Sequence, residues 1–143
     1  MTQVDRSALV LHTAEQMFDL VNDVERYPEF LPWCSGSTLI ESTDTTMQAT
    51  LRVAKAGLKY SFTTRNEMER PKVIRIALVE GPFSSLTGEW TFKALSDEAC
   101  KVSLSMQFDF SGRLTNLAMS KVFNQMAVTM VDAFVSRADQ IYG

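Results

Sequence analysis

Between residues 100 and 142 the spacing of hydrophobic residues changes from two to about 3.6, and that change dictates a fold class. Cys100, Val102, Leu104, Met106, Phe108 and Phe110 alternate without a break with Lys101, Ser103, Ser105, Gln107 and Asp109. Successive side chains of a strand point to opposite faces, so this segment is a strand with one dry face and one wet face. From 112 to 142 the apolar positions fall at helical spacing. Met119, Phe123, Met126, Met130, Phe134, Ala138 and Ile141 lie near one stripe, widened at its start by Leu114, Ala118 and Val122. A helix of about 30 residues is ~45 Å long, against a mean of about 11–12 residues in ordinary domains. Such a helix, arriving after a run of strands, needs a sheet's apolar face to cover its stripe.

The upstream chain supplies that sheet. Residues 2–11 read as a first strand. Thr13 is a good N-cap with Gln16 three positions on, as in a capping box, and Met17, Leu20 and Val21 follow at helical spacing. Asp23 can cap a second short turn through Val24, Glu25 and Arg26, which Pro28 and Pro32 keep short. After Gly36 the period becomes two. Met47, Ala49, Leu51 and Val53 form one run and Leu58, Tyr60 and Phe62 the next, with a hairpin turn at 55–57. Residues 73–79 and the run Leu86, Gly88, Trp90, Phe92 add two more strands, separated by Gly81-Pro82, and residues 96–98 form a turn. The expectation is an α+β fold: a curved antiparallel sheet of about six or seven strands around a long C-terminal helix, with two short helices after the first strand. Residues 1–143 form one domain, a usual size for a chain with its own core.

Charge and composition narrow the function. The chain is 45% hydrophobic and 22% charged, and no apolar run reaches the roughly 20 residues of a membrane span. Residues 1–11 lack a basic segment followed by an apolar one, so no signal peptide is expected. The expected location is the cytoplasm, and any membrane contact would be peripheral. The net charge is −3, which argues against DNA and against broad nucleic-acid adhesion. It is unevenly spread: residues 51–75 hold seven basic and two acidic residues. Lys55, Lys59 and Arg65 in that stretch are candidates to meet one phosphate-rich partner, or they are solvated strand faces.

A narrow helix on a wide curved sheet leaves space that large side chains or a ligand must fill. The inward-facing candidates on the strands are Tyr60, Phe62, Trp90, Phe92, Met106 and Phe108. On the helix they are Met119, Phe123, Met126 and Met130. Methionine suits refillable apolar space. These residues are either a plain core or the wall of a pocket for a hydrophobic small molecule. Phe30, Leu31 and Trp33 sit in a proline-fixed stretch that can close one mouth of the sheet. Pro82, Phe83 and Leu86 form a second apolar loop and a candidate gate. Catalytic residues are not expected. The one histidine, His12, makes a nucleophile–base pair with Cys34 only if the fold brings them together, and the two cysteines lack metal-ligand spacing. No cofactor is required and no metal site is expected.

Three segments carry a family resemblance: Val21-Asn22-Asp23-Val24 running into Tyr27-Pro28-Glu29-Phe30-Leu31-Pro32-Trp33-Cys34, then Phe62-Thr63-Thr64-Arg65-Asn66, then Gly81-Pro82-Phe83 followed by Leu86, Gly88, Trp90 and Phe92. On these the chain resembles the coenzyme Q-binding branch of the START-like superfamily, also described as polyketide cyclase/dehydrase-like, over essentially its whole length. The resemblance implies a helix-grip fold. It implies binding of ubiquinone or another prenyl lipid in support of respiration, with Tyr60, Thr64, Arg65 or Asn66 supplying a polar contact. It also implies an alternative: bacterial members are described as binding the large ribosomal subunit and blocking subunit association. A ring-closing enzyme is a third reading, resting on superfamily analogy.

Overall fold

The computed structural model describes residues 2–112 and 116–143. Its order is β1 (Thr2–Val10), α1 (Ala14–Asn22), a 3₁₀ turn (Val24–Glu29), β2 (Cys34–Ser42), β3 (Thr46–Lys55), β4 (Leu58–Glu69), β5 (Val73–Glu80), β6 (Phe83–Ala94), β7 (Cys100–Phe110) and α2 (Asn116–Tyr142). The seven strands make one antiparallel sheet in the order β1-β7-β6-β5-β4-β3-β2. From β2 to β7 sequential neighbours pair, and β1 joins the far edge beside β7, the strand farthest from it in sequence. This is the helix-grip, START-like architecture.

Local chemistry explains the elements. Thr13 and Gln16 form the expected capping box: the Gln16 backbone N–H donates to the Thr13 hydroxyl at 3.0 Å, and the Thr13 N–H to the Gln16 side chain at 3.0 Å. The 3₁₀ turn carries Pro28 inside it and is stapled to α1 by the Tyr27 hydroxyl, which donates to the Val21 carbonyl. The β3–β4 hairpin turns on Ala56 and Gly57, both at positive φ (54° and 79°), as a tight right-twisting hairpin requires. Gly81 has φ +152°, and a Cβ there would stand 2.7 Å from the Cβ of Phe62.

Two strand expectations change. β2 was not anticipated as a separate strand: it is an edge strand with mostly exposed side chains and two register shifts against β3, so it lacks a clean apolar alternation. Phe83, expected in a loop, belongs to β6, together with Leu86, which the alternation had already put on that strand. The connection shrinks to Gly81-Pro82, and both side chains are buried.

α2 lies across the concave face, against β1 and β7, and touches α1. Phe123, Met126, Ala127, Met130, Val131, Phe134 and Ala138 form its buried stripe. Each large member contributes about 1.5–3 kcal/mol by leaving water. Ile141, expected on that stripe, is 48% exposed, and Ala118 is exposed as well. Leu114 lies outside the described residues. Near the helix's end the His12 ring is buried, its Nε2 2.7 Å from Asp139 Oδ1 and its face tilted on Tyr142.

Candidate functional site

Register places one residue of every two on β3 to β7 against α2. Met47, Ala49 and Leu51 stand opposite Asn66, Thr64 and Phe62. Those in turn align with β5, where Asn66 faces Ile76, and Ile76 faces Gly88 of β6. Two aromatic clusters fill most of the resulting trough. At one end Phe83 stacks on Phe110 with ring centroids 4.2 Å apart, and Phe123 of α2 meets Phe108 edge-on at 4.7 Å and Phe83 at 5.1 Å. At the other, Phe134 is the hub, with Trp90, Tyr27 and Phe30 at 5.3, 5.4 and 5.3 Å.

Between the clusters lies a cavity of about 60 Å³. Its apolar wall includes Trp33, Phe62, Leu86, Trp90, Met106, Phe123 and Met130, all named from the sequence, together with Tyr27, Ala49 and Leu51. Val24 and Ile76 complete it, and their place there was not anticipated. The remaining wall is polar: Thr64 and Asn66, successive inward positions of β4. Asn66 is 8% exposed, and its Oδ1 has no hydrogen-bond partner. A buried polar atom without a partner costs about 1–3 kcal/mol. Among the described residues, Asn22, Tyr60, Ser85 and Arg137 also hold a buried polar atom without a partner, and none of these four lines the cavity.

The other expected residues fall around this cavity without lining it. Leu31 and Met126 are fully buried, Phe92 packs on Phe18 and Trp90, and Met119 is half-buried. Phe30 is half-buried beneath the Arg137 guanidinium, 5.0 Å from its ring centre. The Tyr60 ring meets Phe83 and Phe110, and burial pushes its hydroxyl well above the ordinary tyrosine range. Pro82 is half-buried in the turn before Phe83. A larger hollow of about 490 Å³, beside Ala14, Pro71, Lys72 and Phe92, is an open surface groove.

His12 and Cys34 do not form a pair. His12 is engaged with Asp139, and the Cys34 thiol donates to the Gly36 carbonyl at 3.3 Å. Burial raises the Cys34 thiol pKa, which is the wrong direction for a nucleophile. Among the described residues no group of three His, Cys, Asp or Glu side chains is placed to hold a metal ion. No described helix is long and apolar enough to cross a membrane.

Among the cations of residues 52–75, some are tied to neighbouring side chains and others are not. Arg70 grips Asp19 with two bonds of 2.8 Å, and Arg75 is held by Glu69 at 2.8 Å and Glu89 at 3.5 Å. Arg52 donates to the Thr38 hydroxyl. Lys55 and Lys59 at the β3–β4 hairpin, and Arg65 farther along β4, are exposed and form no ion pair among the described residues. Lys59 and Arg65 share the outward phase of β4, roughly 20 Å apart.

Residues 10–135 match the family model described as polyketide cyclase / dehydrase and lipid transport. The chain belongs to that family. Within it, the ribosome association toxin RatA of Vibrio cholerae serotype O1 is 51% identical over 143 residues, covering 100% of this chain and 99% of the relative. A mitochondrial coenzyme Q-binding protein, COQ10 homolog B of Xenopus laevis, is 27% identical over 145 residues, covering 99% of this chain and 59% of the relative. Among solved structures, the ZhuI aromatase/cyclase of Streptomyces sp. R1128 superposes with a TM-score of 0.87 at 19% identity, covering 99% and 96% of the two chains. That last likeness is one of fold.

Proposed function

We propose that this protein binds ribosomes, docking its β3–β4 hairpin on the large subunit and hindering subunit association. The observation that carries this reading is the full-length, 51% identical relative named as a ribosome association toxin. Lys55, Lys59 and Arg65, all exposed on or near the hairpin, supply cations for it. On a chain of net charge −3 they form a local site for phosphates rather than a general nucleic-acid adhesive. Co-sedimentation with isolated large and small subunits tests the reading. Wild type travels with the large subunit, and Lys55→Glu, Lys59→Glu and Arg65→Glu together release it while leaving the unfolding midpoint in place. Each lost phosphate contact lowers the salt dependence of binding by about one unit of log–log slope. Unchanged co-sedimentation of the triple variant defeats the hairpin surface, and no co-sedimentation of wild type defeats the function.

A second reading, uptake of a hydrophobic ligand such as ubiquinone or another prenyl lipid, is favoured by the partly polar cavity and by the relative named as coenzyme Q-binding. It ranks second here, although the sequence alone favours it. The cavity of about 60 Å³ is far below the roughly 300–1,000 Å³ of ordinary ligand sites. Entry of a ring requires side chains such as Met106 and Met130 to swing aside, which unbranched methionine permits. Native mass spectrometry with organic extraction tests it: a co-purifying lipid near one per chain supports the reading. Phe123→Trp should then fill the space and exclude the lipid from a folded protein.

A further inference from the structure

We infer that Arg52 is the residue with which the hairpin grips an RNA phosphate, and that Gly36 and Thr38 hold it in place for that contact. This rests on the ribosome-binding reading above and names the anchor within it. Arg52 lies on β3, opposite Gly36 of β2 on one side and Ser61 of β4 on the other. Its guanidinium fills the space that a side chain at position 36 would take: a Cβ on Gly36 would stand 2.5 Å from Nη2 and 2.6 Å from Nε. Gly36 is accordingly buried, although β2 is an edge strand with mostly exposed side chains. Nη1 donates to the Thr38 hydroxyl at 3.0 Å. A long, exposed side chain is thus fixed at two points on the neighbouring strand. The partner that fixes it is neutral. Arg26, Arg70, Arg75 and Arg137 all end on carboxylates, which offset their charge. Arg52 ends on a hydroxyl and forms no ion pair among the described residues. It is therefore held in place with its charge left whole.

The register adds two further donors. Ser61 stands directly across from Arg52 and is exposed, and Lys59, two residues before Ser61, shares its face of β4. Such diagonal neighbours lie about 7–8 Å apart, within reach of long side chains. The acids in the same phase, Glu41 on β2 and Glu80 on β5, stand opposite Gln48 and Thr63 rather than opposite Arg52 or Ser61. A guanidinium, an ammonium and a hydroxyl therefore share one stretch of the sheet with no carboxylate directly across from them. A phosphate offers acceptor oxygens in several directions and can use all three donors together, and arginine's rigid fork suits it. Because Arg52 is already immobilised, little side-chain freedom remains to be lost when the anion arrives.

The test measures the affinity of the intact protein for isolated large ribosomal subunits over a range of salt concentrations. Arg52→Ala should weaken binding at least about tenfold, the worth of one charged hydrogen bond, and lower the log–log salt slope by about one. Gly36→Ala keeps every cation but puts a methyl group where the guanidinium now lies. The atoms it meets are the far end of a flexible side chain, so Arg52 moves and the strand stays. Binding should weaken about fivefold through lost immobilisation alone, with the unfolding midpoint in place. Lys101→Ala, on exposed β7 four strands from β3, should bind as wild type does. Wild-type affinity in Arg52→Ala overturns the inference and leaves the ribosome reading standing. Weaker binding with an unchanged salt slope overturns the phosphate, because an ion pair with a protein carboxylate releases no counterions from RNA. An equal loss in Lys101→Ala overturns it too, since net charge then explains the effect. Wild-type affinity in Gly36→Ala overturns the seat, and if that variant fails to fold, Thr38→Val decides the same point. No binding by wild type overturns the inference together with the reading beneath it.

Discussion

β7 and β4 are both long strands, of 11 and 12 residues, and each turns every second side chain toward α2, but their buried faces differ in kind. β7 shows α2 nothing polar: Cys100, Val102, Leu104 and Phe108 are at most 1% exposed, and Met106 and Phe110 complete the row. β4 shows it Tyr60, Phe62, Thr64, Asn66 and Met68, and two of those side chains hold buried oxygens without partners. Neighbouring strands join them across the same sheet, so burial depth does not explain the contrast. β7 is a wall selected for packing. β4 accepts a polar defect at the cavity, where a purely structural wall would have taken valine or leucine. Buried polar groups are ordinarily satisfied, and on β4 two of them are not, Tyr60 and Asn66.

The largest effect expected from breaking this contrast is on the packed side. Phe108→Ala should cost about 3–5 kcal/mol, because Phe108 is fully buried against Phe123 and Phe110 and the sheet cannot collapse to refill its space. Denaturant unfolding measures it. A loss under about 1 kcal/mol would mean that the β7 wall is as adaptable as the cavity.

Next comes a change of chemistry without a change of shape. Val102→Thr puts a hydroxyl into the dry face of β7, where Val102 has no exposure. It should cost about 1–3 kcal/mol in the same experiment. Little or no cost would show that a polar group is acceptable anywhere in this core, and Asn66 would lose its significance.

Much of the architecture was legible because it rests on periodicity. The β7 alternation, the α2 stripe and the Thr13–Gln16 capping box are patterns of residue type at fixed spacing, and all three stand in the fold. What escaped has a physical reason in each case. β2 is an edge strand whose outward residues face water and whose register shifts twice, so alternation never develops. Phe83 follows Gly81-Pro82, the usual mark of a loop, yet the strand begins at once because Phe83 stacks on Phe110. Seven of the cavity's large apolar walls could be named from the sequence, but not its small volume, which depends on how Phe62, Phe83 and Phe123 interlock. That Asn66 faces inward follows from its phase with Phe62. That its oxygen lacks a partner is a property of the packed structure.

A smaller effect separates the strands by pH. Burial, and then the charge of Glu15, raises the Cys100 thiol above its ordinary 9.0. In the unfolded chain the thiol loses its proton near pH 9, while in the folded chain it keeps it. The unfolded state thus binds fewer protons above that pH, and stability falls as pH rises. The contribution is whole below pH 9 and is lost through the raised folded value. Cys100→Ala should flatten part of the alkaline decline in unfolding free energy. An unchanged slope would assign the decline to Cys34 and the buried tyrosines Tyr27 and Tyr60, which shift in the same direction.

The smallest effect is the most informative about β4. Thr64→Val keeps the shape of the side chain and removes its hydroxyl from the cavity wall. In β7 the reciprocal change, Val102→Thr, introduces an unmet hydroxyl; here the substitution removes one that lines a cavity. Stability should therefore stay within about 0.5 kcal/mol of wild type, and a slight gain is compatible with the loss of a buried polar group. A loss above about 1 kcal/mol would mean that the hydroxyl is committed to a partner in the native core. The polar face of β4 would then be part of the packing, as the apolar face of β7 is, and no longer a place held for a ligand.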